Sequence, residues 1–195
     1  VATSPGWLGY IPGFFEDLGR TATGLDNVSV SSLFHRGIEL AVEISGLVNS
    51  LFPLAELILL PFRLGTALMI ALAFAFAAYR LVEIKVFFAV MLGGLAFNLG
   101  FGGNPWTWPL AAGYLRGLAQ KGIELTVAYF LVGHANAVLE TWVEVAQSVT
   151  ELTWGNYVTL MLAPPAISFL IWRMPEKVAA AVTSTWTLPS PFERA

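Results

Sequence analysis

The sequence predicts an all-α polytopic membrane protein with about four to five transmembrane or re-entrant helices and an N-terminal amphipathic helix. Three observations lead there. Of 195 residues, 56% are hydrophobic and only 12% charged, and mean hydropathy is +0.70. Four runs carry no charged side chain: Leu64 to Tyr79 (16 residues), Val86 to Leu115 (30), Leu125 to Leu139 (15) and Leu152 to Trp172 (21). A helix needs about 20 residues to cross the hydrocarbon, and four such runs leave too little polar surface for a water-soluble bundle.

Residues 1–32 form a polar and aromatic region, with Trp7, Tyr10, Phe14 and Phe15 among glycines and prolines. Such aromatics favour the headgroup layer. The segment opens at Val1 without the basic and then apolar pattern of a leader peptide. From Phe34 the pattern turns helical. Arg36, Glu39, Glu43, Gly46 and Ser50 recur at three- and four-residue steps and share one face, while Ile38, Ala41, Val42 and Leu47 lie elsewhere. Pro53 and Pro61 then interrupt LFPLAELILLPF, and a kink or tight corner is expected there, as one bent span or two.

RLGTALMIALAFAFAAYRLVEIK reads as a helix closed by Arg80, Glu83 and Lys85, and the next basic residues are Arg116 and Lys121. The positive-inside rule puts both clusters in the cytoplasm. The 30 uncharged residues between them are too few for two crossings of about 20 each. They enter and return as a helical hairpin borrowing length from its flanks, or cross once with an interfacial apolar stretch. Leu125 to Leu139 carries the chain to an acidic stripe of Glu140, Glu144 and Glu151, aided by Gln147. Leu152 to Trp172 brings it back to Arg173 and Lys177, and Pro164 with Pro165 predicts a break or kink on the way. A helical domain over 33–185 thus follows the N-terminal region, and 186–195 form a short tail.

No catalytic, cofactor or metal site emerges. His35 and His134 stand without ligand-spaced neighbours, cysteine is absent, and no GxSxG occurs. GFGGNP lacks the Lys-Ser/Thr of a phosphate loop, and Pro105 removes a donor. The net charge of −3 argues against an independent nucleic-acid grip. The reading is therefore a non-enzyme with no cofactor, bound lipid aside.

Candidate residues are of two kinds. Glu39, Glu43 and Glu56 are costly against lipid and are expected at a protein interior, a water-filled path or the headgroups. Arg116, Gln120 and Glu124 form a ladder at four-residue steps, expected as a solvated or partner-facing stripe. Gly113 and Gly117 have the GxxxG spacing of close helix contacts. In the turn, Gly100, Gly102 and Gly103 are expected to take backbone angles closed to other residues, Pro105 to fix the exit, Trp106 and Trp108 to anchor, and Thr107 to cap the next helix. The turn then either reverses the chain at membrane depth under a cover of protein or water, or is an ordinary helix-helix loop with aromatic anchors.

LGFGGNPWTWPLAAGYLRGLAQKGIELTVAYFLVG resembles the signature region of the TrbL family through Gly100, Phe101, Gly102, Gly103, Trp106, Thr107, Tyr114, Gly122, Leu125, Val132 and Gly133. WRMPEKVAAAV, with Pro175 and Ala179 to Ala181, is similar to the family's Pro-centred end, and the resemblance covers roughly 60–185. It implies a multi-pass subunit of the bacterial inner membrane in a type IV secretion or conjugation apparatus. It further implies a homo-oligomeric ring, a pentamer, working with pilin and other secretion-system subunits and passing DNA or protein. The family's long hydrophilic C-terminal region has no counterpart in the sequence, and the resemblance carries over no catalytic residue. Two rival readings stand beside it: a small-solute transporter or channel, which predicts inverted repeats and paired mid-membrane charges, and an accessory subunit of a respiratory or photosynthetic complex, which predicts mid-span histidines.

Overall fold

The structure, a computed structural model, describes residues 7–24, 29–46, 53–148, 154–186 and 188. Every long regular element among them is an α-helix: α1 (Trp7–Thr23), α2 (Val30–Gly46), α3 (Pro53–Gly100), α4 (Trp108–Ser148) and α5 (Trp154–Thr183). A single 3-10 turn, Phe101–Gly103, follows α3.

α3 and α4 form the axis of the molecule as a long antiparallel hairpin. The order of their contacts shows the pairing: Arg80 meets Glu124, Lys121 lies over the Phe87 ring, and Met91 touches both Gly117 and Tyr114. α5 runs beside α3 in the same direction, as Ser168 on Ala73, Trp172 on Phe76 and Glu176 near Arg80 attest. α1 runs parallel to α4, with Phe15 on Gly122, Gly19 on Thr126 and Thr23 on Gly133. α2 packs on α3 through Gly37 and Phe74, and its Arg36 reaches Glu140 of α4 at 2.6 Å.

The expected end of a helix at Arg80, Glu83 and Lys85 does not occur, and α3 continues for 15 further residues to Gly100. The reason lies in its buried stripe: Ile70, Phe74, Ala77, Leu81, Ile84, Phe88, Leu92 and Leu95 recur at three- and four-residue steps straight past the charges. Leu125, Ala128, Val132, Ala135 and Leu139 of α4 repeat the same spacing against them. Pro53 starts α3, where its missing N–H is no loss, and Pro61 lies inside one helix rather than between two. The expected break at Pro164 and Pro165 is likewise absent, since α5 is one 30-residue helix carrying both. Only neighbouring hydrogen bonds are forfeited at a proline, and packing holds the helix on either side.

A helix over Trp7–Thr23 was not legible among the glycines and prolines of 1–32. Glu151 and Ser50 lie outside the described residues, as do the side chains of Glu56 and Gln147. Among the described residues, two stretches are long and apolar enough to cross a bilayer, Arg63–Gly103 and Trp108–Trp142.

Candidate functional site: a charged junction below an apolar hairpin

Charges from four helices gather at one level of the bundle. Glu124, at 0% exposure, receives Arg80 at 3.0 Å on one carboxylate oxygen and Lys121 at 2.5 Å on the other. Arg80 also binds Glu83 at 2.8 Å, comes within 3.8 Å of Glu176, and lies 5.1 Å above the Trp172 ring. Beside this node, Glu16 of α1 accepts Lys85 at 2.7 Å and Arg20 at 3.5 Å, and the Arg20 guanidinium covers Tyr129 at 5.3 Å. Ionised groups withdrawn from water persist only when paired in this way.

The ladder read from the sequence therefore divides. Glu124 is a buried hub instead of a solvated or partner-facing residue, because Arg80 and Lys121 neutralise it from two helices. Gln120 is half-buried, and Arg116 is exposed, donating to the Ser184 carbonyl at 3.0 Å beyond the end of α5. Glu39 and Glu43 turn outward on α2, exposed and half-buried respectively. Their expected roles at an interior or path are not met within one chain. The acidic stripe, which contains no basic residue, gains a partner from another helix, since Arg36 of α2 bridges Glu140. Glu16 and Lys85 were missed as site residues, because nothing local marks a partner 69 positions away.

Past the charged level, residues 86–115 take the first of the two expected forms, a helical hairpin closed by Phe101–Thr107. The expected glycine conformations are absent: Gly24 is the glycine at positive φ among the described residues, and Gly100 is right-handed helical at φ −56°, ψ −31°. Asn104 builds the turn. Its backbone is extended (φ −126°, ψ 132°), its carbonyl accepts from the N–H groups of Thr107 at 3.1 Å and Trp108 at 2.9 Å, and its side-chain oxygen accepts from Trp106 N–H at 3.0 Å. Asn is suited to this because its amide imitates a backbone turn.

Thr107 does not cap α4 with its side chain. Its hydroxyl donates instead to the Phe101 carbonyl, tying the turn shut, and its own carbonyl starts the helix by accepting from Leu110 and Ala111. Trp108 packs over Gly102, while Pro105 is exposed and Trp106 projects outward at 91% exposure. Of the Gly113 and Gly117 pair, a β-carbon added at Gly113 meets nothing within 4 Å and one added at Gly117 falls 3.2 Å from the Met91 methyl. The close helix contact is elsewhere, where Gly122 and Gly133 of α4 and Gly19 of α1 leave no room for a β-carbon. Phe15, Gly19 and Thr23 on one helix, and Gly122, Thr126, Tyr129 and Gly133 on the other, recur at three- and four-residue steps. That periodicity was the available signal.

The model of the TrbL/VirB6 plasmid conjugal transfer protein family matches residues 1–174. The chain belongs to the TrbL/VirB6 family. The match takes in α1 and α2, N-terminal to the 60–185 reach of the resemblance, and ends before Pro175 and Ala179 to Ala181. No curated protein and no solved structure matches the chain. Membership in the TrbL/VirB6 family makes the protein a membrane component of conjugal transfer and type IV secretion, acting with other subunits of that apparatus. The charged junction and the aromatic hairpin tip are the two candidate working parts of this TrbL/VirB6 chain.

Proposed function

We propose that the chain is a scaffold and channel subunit of the bacterial inner membrane, crossing it several times and assembling into a homo-oligomeric ring that supports DNA or protein translocation and pilus assembly. One observation carries this reading. α3 has 48 residues, about 72 Å at 1.5 Å per residue, against a hydrocarbon layer of about 30 Å. Its outer face is apolar on both sides of the charged level. Leu64, Leu68 and Leu72 are exposed before it, and Val86, Val90 and Phe97 after it. A bilayer covers one of these halves, and other copies or partner subunits cover the remainder. The five-fold count comes from the family resemblance, as does the pilin partner.

In this reading the subunit performs no chemistry, and partner ATPases supply the energy. The charged level, rich in Arg80, Lys85, Arg116, Lys121, Arg173 and Lys177, lies at the cytoplasmic boundary. The deciding experiment is the native mass of the protein extracted into nanodiscs, with lipid subtracted and co-purifying proteins identified. Several copies per particle together with pilin or secretion ATPases are expected. A single copy, with neither, overturns the proposal.

A further inference from the structure

Between α3 and α5 a groove of about 620 Å³ opens on the outer face of the bundle, with Met69, Leu72 and Phe76 on one wall and Phe169, Trp172 and Arg173 on the other. Because the two helices run in the same direction, the groove follows their axes. It starts at Met69 beside Pro165 and ends at Trp172 and Arg173, where the charged level begins. The walls are almost wholly apolar. The hydroxyl of Ser168, which also lines it, is committed to the Ala73 carbonyl at 2.7 Å.

The charged end is different. Arg173 and Lys177 are exposed, one helical turn apart on the same face of α5, and neither has an ion pair among the described residues. Of the nearby carboxylates, Glu83 is bound by Arg80 and Glu124 by Arg80 and Lys121, while the exposed Glu176 leans toward Arg80 at 3.8 Å. Two like charges at this spacing repel one another, and an anion between them reverses that. Next to them Trp172 is stacked on Phe76 at 4.5 Å, the sort of aromatic that anchors at a membrane interface.

We propose that this groove holds one anionic phospholipid, its phosphate between Arg173 and Lys177 and one acyl chain laid along Met69, Leu72, Phe76 and Phe169. The polarity gradient of the groove matches that of the lipid end to end. The bound lipid bridges α3 and α5 where the protein itself leaves a gap. The proposal rests on the chain's lying in a bilayer and is independent of any ring.

The test uses the full chain in detergent, titrated separately with phosphatidylglycerol, phosphatidylcholine and inorganic phosphate, with retention read by native mass spectrometry and stabilisation by thermal unfolding. One phosphatidylglycerol is expected to be retained and to raise Tm. The double variant R173Q/K177Q loses about tenfold or more in retention, since each basic residue contributes on the order of a factor of five to anionic-lipid binding. Equal retention of phosphatidylcholine, undiminished retention by the double variant, or the same stabilisation by inorganic phosphate overturns the proposal. A phosphatidylglycerol with a photoreactive acyl chain, applied to the unsubstituted protein, gives a second readout free of any folding defect. Labelling concentrated on Met69 to Phe76 and on Phe169 supports the site. Labelling spread over all exposed faces, or blocked there by a second copy of the chain, refutes it.

Discussion

Arg80 and Glu124, 44 residues apart in sequence, meet at 3.0 Å with the carboxylate wholly removed from solvent. Removing one member of such a pair costs about 3–5 kcal/mol, because the partner's charge stays behind. Glu124→Gln is therefore expected to lower Tm sharply in detergent. Arg80→Met combined with Glu124→Leu removes both charges, and Lys121, itself 26% exposed, carries its amine outward on a flexible stem. The double variant is expected to be more stable than Glu124→Gln alone. The reverse order would show that the node does not act as a charge-balanced unit.

The hairpin turn depends on Asn104 and Thr107 and not on glycine conformations. Gly103 has no atom within 4 Å of an added β-carbon and no positive φ. Gly103→Ala is expected to leave the unfolding free energy within about 0.5 kcal/mol of the original, as at ordinary surface sites. Asn104→Ala deletes the acceptor of the Trp106 N–H and is expected to cost about 1 kcal/mol. Thermal unfolding of the two variants side by side checks both expectations.

Gly19 admits no side chain, because a β-carbon there falls 2.6 Å from the Thr126 carbonyl oxygen, a backbone atom with nowhere to go. Gly19→Ala is expected to lift α1 off α4 at a cost of about 1–3 kcal/mol, the usual range for overpacking. Cysteine placed at Thr126, whose hydroxyl donates to the Phe15 carbonyl at 3.0 Å, then becomes more accessible to a maleimide. Gly13→Ala, with open space around it, serves as the control and leaves that accessibility unchanged.

Trp106 and Phe97, 91% and 73% exposed at and near the hairpin tip, contribute little to the isolated subunit. Trp106→Ala and Phe97→Ala are expected to leave its Tm unaltered. On the proposed scaffold role, they reduce conjugative transfer by tenfold or more, roughly the loss of one buried aromatic anchor at an interface. Transfer frequency and particle mass are measured on the same variants, and unchanged values for both would place the tip outside any working contact.

The uncharged runs in the sequence foretold where the chain is apolar and left 86–115 open between a helical hairpin and a single crossing; the structure makes it a hairpin. They could not foretell where helices end. At Arg80 and Lys85 the charges look like a helix exit when read locally. Their partners are Glu124 and Glu16, on other helices, so the pairing that lets α3 continue is invisible in any short window. The buried stripe from Ile70 to Leu95 was a legible cue to continuity, and it outweighs the charges. For α1 the obstacle was composition: glycines and prolines are scattered through residues 1–32, yet Pro12, Gly13 and Gly19 all lie inside the helix, and Gly19 serves its approach to α4. The turn was located correctly in the sequence. Its mechanism was not, because Asn104 closes it through backbone hydrogen bonds that any residue's carbonyl supplies, with only the side-chain bond to Trp106 being specific to its type.

The seam between α1 and α4 also sets an order of biogenesis. Phe15 and Thr126 are 111 residues apart, and at a synthesis rate of about 5–20 residues per second the receiving face of α4 leaves the ribosome roughly 6–22 seconds after α1. During that interval α1 has no groove to occupy, and its aromatic face has only the membrane surface to rest on. α1 is thus made well before the face that seats it, and the arrival of Glu16 beside Lys85 completes the charged level only once α3 and α4 are in place.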